Sequence, residues 1–168
     1  KIRSTGSCDI LTDEGVAPDM LTPSYLVNEK FDDRYFDVVN ALDEAQQIHF
    51  RNNDLLERIA SANRAGKPFV IGETGFGTGR IAVALMEYIK MSSLRDVAIE
   101  YYSVELYPIS PSRMLAILDG FRDRVGAEID ALVEAYHGID TSISGWHSLH
   151  LRQPFGTIEV KLWIGEAL

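Results

Sequence analysis

The stretch Phe69-Val70-Ile71-Gly72-Glu73-Thr74-Gly75-Phe76-Gly77-Thr78-Gly79 constrains this chain more than any other. An apolar run ends in an acid, glycines then stand at every second position from Gly75 to Gly79, and an amphipathic segment follows at once. That pattern predicts strand, tight loop and helix. Glycine has no Cβ and accepts positive φ, so such a loop lets the backbone come close to a ligand. The helix that starts there turns free N–H groups and a positive dipole end toward an anion or carboxylate. The run Phe69 to Glu73 reads as a strand buried on both faces of a parallel sheet.

A chain of 168 residues suffices for one domain with a real core. No apolar run approaches the roughly 18 residues of a membrane span, and no leader pattern opens the chain, so no membrane partner is expected. The single cysteine, Cys8, cannot form an intrachain disulfide and fits a reducing, cytoplasmic setting. The formal charge of −9 argues against a broad nucleic-acid-binding surface, which needs clustered Lys and Arg. A local contact stays compatible with it.

Residues 1–20 lack any period and read as a flexible leader; residues 21–67 read as an N-terminal extension packing on the core; residues 68–168 carry the core itself. Within the extension, Phe31-Asp32-Asp33-Arg34-Tyr35-Phe36 sets aromatics around two acids, either as a surface turn or as a lid with Asp32 and Asp33 facing a polar ligand. Asp54 and Glu57 have the spacing of a capping box, and Gly66 with Pro68 closes the helix that follows. After Gly79 a helix places Ile81, Leu85, Tyr88 and Ile89 on one stripe. Val97 to Glu105 is a second strand. A long helical region then carries possible breaks at Gly120 and Gly126. The last part is a hairpin: Trp146 to Leu151 is extended, Gln153-Pro154-Phe155-Gly156 turns, and Ile158-Val160-Leu162-Ile164 alternates with polar residues.

Three predicted strands thus end in an acid: Glu73, Glu105 and Glu166. In an open α/β sheet the ligand crevice lies beyond the carboxyl ends of the strands. Glu73 and the loop Gly75, Phe76, Gly77, Thr78 and Gly79 suit the amino-acid part of a cofactor. Glu105 is placed to accept hydrogen bonds from ribose hydroxyls, and Glu166 to meet an adenine edge. Gly-x-Gly-x-Gly alone is a common structural turn; the strand before, the helix after and the acid at the next strand end favour a cofactor loop over that turn. The dinucleotide fingerprint has its third glycine one position later, and an acid beside a pyrophosphate would repel it. S-adenosylmethionine carries no phosphate and is the cofactor expected. His147 and His150, three apart on a strand, point to opposite faces, so no metal site is expected there.

With these residues in hand, the chain resembles the methyltransferase domain of the bifunctional enzyme that completes 5-methylaminomethyl-2-thiouridine at the tRNA wobble position. The resemblance runs from Thr22-Pro23 through Phe31–Phe36, Leu42-Asp43-Glu44, Asn53-Asp54-Leu55 with Arg58, Gly75–Gly79, Ser103-Val104-Glu105 and Tyr107-Pro108 to Leu162-Trp163-Ile164-Gly165-Glu166. It implies a class I, Rossmann-like α/β fold, S-adenosylmethionine as methyl donor, and the aminomethyl group of a tRNA uridine as acceptor. Departures are Arg80-Ile81 where the family usually has Leu-Asn, Leu106 for Lys, and Glu166 for Asp. Against the family pattern the chain reads as truncated after the third core strand, which would leave a sheet edge uncovered and open to self-association. A small-molecule methyl- or aminopropyltransferase, and a non-catalytic binding module, are the alternatives that the residues leave open.

Overall fold

The computed structural model describes residues 40–166, together with the backbone of two N-terminal strands. The leader, Thr22-Pro23 and Asp32 lie outside the described residues, as does the side chain of Asp33. The chain divides into two compact units, 1–41 and 42–168. In the first, β1 (Tyr25–Asn28) pairs antiparallel with β2 (Asp33–Asp37), and the register shifts between Leu26 and Val27. The Asp33 backbone opens β2.

The second unit begins within α1 (Ala41–Ala45), which runs into a π-helical turn at Gln46–Phe50 and a 3-10 turn at Arg51–Asn53. Next come α2 (Leu55–Arg64), β3 (Phe69–Thr74), α3 (Arg80–Lys90) and β4 (Val97–Glu105). Then α4 (Pro111–Leu118), α5 (Arg122–His137), β5 (Gly145–Gln153) and β6 (Gly156–Ile164) complete it. The four strands form one sheet in the order β3-β4-β6-β5. β3, β4 and β6 are mutually parallel, and β5 is the antiparallel arm of a hairpin with β6. This mixed α/β arrangement, with a helix crossing after β3 and helices after β4, is Rossmann-like.

Side chains alternate across a strand, and here the alternation separates a covered face from an open one. On the covered face Val97, Ile99, Tyr101 and Ser103 of β4 meet Ile158, Val160 and Leu162 of β6 and Leu149 and Leu151 of β5, all buried. The open face carries Val70 at 57% exposure, Tyr102 and Trp146. β3 is therefore covered on one face only, which corrects the expectation of a doubly buried strand. The apolar run of β3 could not reveal this, because an apolar residue at an open position reads the same as one in a core.

Helix α3 is the reverse case. Ala82, Val83, Ala84, Leu85, Met86, Glu87 and Ile89 are all buried, so the single stripe drawn from the sequence was too narrow. The small residues Ala82 and Ala84 let neighbours approach from several sides. Ser110 caps α4 by accepting a hydrogen bond from the Arg113 N–H (3.2 Å), with Pro111 at the first helical position. The predicted cap at Asp54 does not form. Asp54 has φ 49°, because the chain enters α2 from a 3-10 turn rather than from the extended backbone that a cap requires. Gly66 does close α2, its N–H bonded to the Asn63 carbonyl (2.9 Å). The long helical region breaks where expected: a 3-10 turn at Asp119–Phe121 includes Gly120, and Val125 beside Gly126 leaves helical geometry.

Candidate functional site

The parallel alignment of β3, β4 and β6 brings their carboxyl ends to one side of the sheet, and the three acids lie there. Ser103 is the register partner of Glu73, and Ile164 that of Glu105. The loop after β3 closes onto the end of β4. Gly75 and Phe76 both donate their N–H to the Val104 carbonyl (3.0 Å each), and Gly79 donates to the Phe76 carbonyl (2.9 Å). Gly75, Gly77 and Gly79 all hold positive φ. A Cβ built on Gly75 or Gly77 would meet nothing within 4 Å, so the space over the loop is open. On Gly79 a Cβ would come 2.6 Å from Leu132 Cδ2, so this glycine serves the packing of the loop on α5. Phe76 is buried and stacks on Tyr136 of α5 (6.2 Å between centroids). Thr78 is also buried.

Glu105 ties the loop to the strand end. Its Oε2 accepts the Gly77 N–H at 2.7 Å, and its Oε1 accepts the Tyr107 N–H at 2.8 Å. A carboxylate has about four lone-pair directions, so each oxygen keeps acceptor capacity for a ligand. Its carbonyl takes the Gly165 N–H at 3.0 Å, which brings Glu166 beside it at the end of β6. Glu166 is exposed.

Glu73 is placed differently. Thr74, not Glu73, is the last residue of β3, and the Glu73 carboxyl is partly buried and accepts a hydrogen bond from Ser103 Oγ (2.9 Å). Burial pushes this carboxyl up to about 7, and the Ser103 hydrogen bond and the Arg80 charge hold it from rising further. The buried Tyr101 hydroxyl makes no hydrogen bond of normal geometry; burial first, and then the Glu73 charge, push it well up. Glu73, Tyr101 and Ser103 therefore form one buried polar group at the root of the loop. Sequence reasoning omitted Tyr101 and Ser103 from the site. The signal was available: Tyr101, Ser103 and Glu105 alternate onto one face of β4.

Three acids with the Arg80 charge beside Glu73 make a poor setting for a phosphate, and the open glycines leave room for a ligand to approach the backbone. A shallow groove of about 390 Å³ lined by Leu115, Asp130, Val133, Glu134 and His137 shares no residue with this crevice. Among the described residues no group of three metal-ligating side chains occurs, and no helix is long and apolar enough to cross a membrane.

The amino-acid sequence matches curated relatives. The chain is 34% identical over 143 residues to the tRNA 5-methylaminomethyl-2-thiouridine biosynthesis bifunctional protein MnmC of Marinomonas sp. (strain MWYL1), covering 83% of this chain and 20% of that protein. The chain is a relative of the MnmC proteins. The protein of the same name from Pseudomonas fluorescens (strain Pf0-1) is 33% identical over 138 residues, 82% of this chain and 20% of its own length. That of Chromobacterium violaceum is 29% identical over 144 residues, again 82% and 20%. The chain thus spans about a fifth of the length of these MnmC proteins. No family model matches it.

Proposed function

We propose that this chain carries the S-adenosylmethionine side of a methyltransferase that acts on the aminomethyl group of a wobble uridine in tRNA. The observation that supports it most is the link between loop and strand ends: Gly77 N–H on the Glu105 carboxylate, with Glu166 drawn alongside through Gly165. S-adenosylmethionine, when bound, supplies an electrophilic methyl group on a sulfonium. Glu105 would accept the ribose hydroxyls. Gly75 to Gly79, with Glu73 beneath them, would pass close to the amino-acid part, and Glu166 would meet the adenine edge. The acceptor amine must be neutral to attack, so a base must take its proton. The sequence offers Asp32 and Asp33 as contributors only, and both belong to the other compact unit. The tRNA acceptor rests on the relatives' name and on the motif resemblance.

Calorimetric titration of the purified chain with S-adenosylmethionine tests the reading. Saturable binding is expected, and Glu105→Ala should weaken it at least about tenfold, the loss of a charge-assisted hydrogen bond pair. Glu105→Gln should weaken it as well, because the amide keeps one acceptor for the two N–H donors of Gly77 and Tyr107 and loses the charge. Absence of heat and of any thermal shift at millimolar ligand would remove the cofactor from the account and leave a binding module.

The charge of −9 favours a second reading, methyl or aminopropyl transfer to a small molecule. Mass analysis of tRNA nucleosides from a strain lacking the gene decides between them. Loss of the methylated aminomethyl nucleoside supports tRNA; an unchanged profile supports the small molecule.

A further inference from the structure

We infer that Trp163 and Ser144 are positioning residues that fix Glu166 for recognition of an amino-bearing purine edge. This deepens the proposed nucleoside site and rests on it. At Ile164 the strand β6 ends, and Gly165 follows with φ +129°. Both carbonyls that flank Gly165 are held by side chains. Ser144 Oγ donates to the Ile164 carbonyl (2.8 Å), and the Trp163 indole N–H donates to the Glu166 carbonyl (3.1 Å). The Gly165 N–H is held in turn by the Glu105 carbonyl (3.0 Å). A Cβ on Gly165 would lie 2.5 Å from Ser144 Oγ and 3.5 Å from Trp163 Nε1, so the two side chains close around this residue.

The direction of the indole N–H is itself set. Trp163 packs edge-on against Trp146 (5.5 Å, 68°), and Trp146 packs edge-on against Tyr102 (6.1 Å, 87°). These rings lie on the open face of the sheet, one on each of β6, β5 and β4. The end of a strand at the surface does not need this degree of restraint to be stable, since water satisfies its carbonyls. The Glu166 carboxylate accepts no hydrogen bond from the described residues, although its backbone is fixed on both sides. A fixed backbone with a free acceptor, next to the ribose-placed Glu105, is the geometry of a group held for a ligand. A carboxylate accepts from the exocyclic amine, whereas an oxo base presents a carbonyl oxygen at that position and keeps only its ring N1–H as a donor. The restraint therefore serves discrimination of an aminopurine from its deaminated form.

The experiment is a binding comparison of S-adenosylhomocysteine with S-inosylhomocysteine on the intact chain, its Trp163→Phe, Ser144→Ala and Glu166→Gln variants, and the Glu166→Gln/Trp163→Phe double variant. The expected result is a preference for the adenine ligand that falls about fivefold in Trp163→Phe and in Ser144→Ala, the loss of one hydrogen bond each. In the Glu166→Gln background, Trp163→Phe should change the preference no further. A preference unchanged in both single variants, or equal loss of both ligands, overturns the inference while the nucleoside site stands. A wild-type chain that binds neither ligand overturns both. Should Trp163→Phe fail to fold, Ser144→Ala, at an exposed position, carries the test alone.

Discussion

A carboxyl group that accepts one hydrogen bond beneath a loop of glycines has little water to ionise into. Glu73 is raised to about 7 from an ordinary 4.5 for that reason. Below about pH 4.5 it is neutral both folded and unfolded, and its contribution to stability is fully present. As pH rises, the unfolded chain ionises first, and the contribution is lost through pH 7. The full swing is about 3 kcal/mol. Urea unfolding at pH 5 and pH 8.5 should show the wild type less stable at the higher pH by an amount of that order. Glu73→Gln mimics the neutral acid and should flatten the difference; an undiminished pH slope in Glu73→Gln assigns the slope to other groups. The sequence marked Glu73 as a strand-end acid, and it does lie at the carboxyl end of the sheet. Its burial was not legible, because it depends on Ser103 and Tyr101, which lie 28 and more residues away in a neighbouring strand. Glu105 and Glu166 were easier to place, since a strand followed by a turn leaves its last acid near the crevice whatever packs beside it.

At the scale of elements, the loop and α3 are held from opposite ends. Gly79, at φ +72°, packs against Leu132, and an alanine there meets both backbone strain and a 2.6 Å contact. Gly79→Ala should cost about 1–3 kcal/mol in chemical denaturation. Adding Leu132→Val should return only the contact part, leaving the strain. Further along α3, the buried Glu87 is held by Arg124 of α5 through two hydrogen bonds (2.5 and 2.9 Å) and by Gln46 (2.6 Å). Arg124 reaches Asp43 as well (2.8 Å), which holds the Asp43 carboxyl below its usual range. Arg124→Met strands a buried charge and should destabilise by about 2–3 kcal/mol, while Glu87→Gln/Arg124→Met should recover most of it. Equal losses in the single and double variants would show that Arg124 acts through its packing instead. Periodicity located these helices but not this network. A charged residue on an apolar stripe looks like a pattern error until the partner on another helix is seen.

Across the whole molecule, the sheet has two edges of different character. β5 ends the sheet with Trp146, His147, His150 and Arg152 along its length, whereas β3 carries Phe69, Val70 and Ile71 with no charge before Glu73. Among the described residues no strand pairs with the outer side of β3. Alternation and glycine spacing were enough to find the strands and their order of appearance. Which one would stand at the edge followed only from the pairing, because sequence neighbours β5 and β6 take the far side of β4. An edge with unpaired N–H and C=O groups, few charges and no bulge is a template for another strand. Light scattering of this 168-residue chain over a range of concentration should therefore show a mass that rises above the monomer. Val70 is 57% exposed, so Val70→Lys should fold and return the chain to a monomer by placing a charge on that edge. Trp146→Ser, on the same open face but at the other side of the sheet, is the control. If it abolishes association and Val70→Lys does not, the aromatic face and not the β3 edge carries the contact. A monomer at every concentration would show that the edge is too short or too twisted to pair.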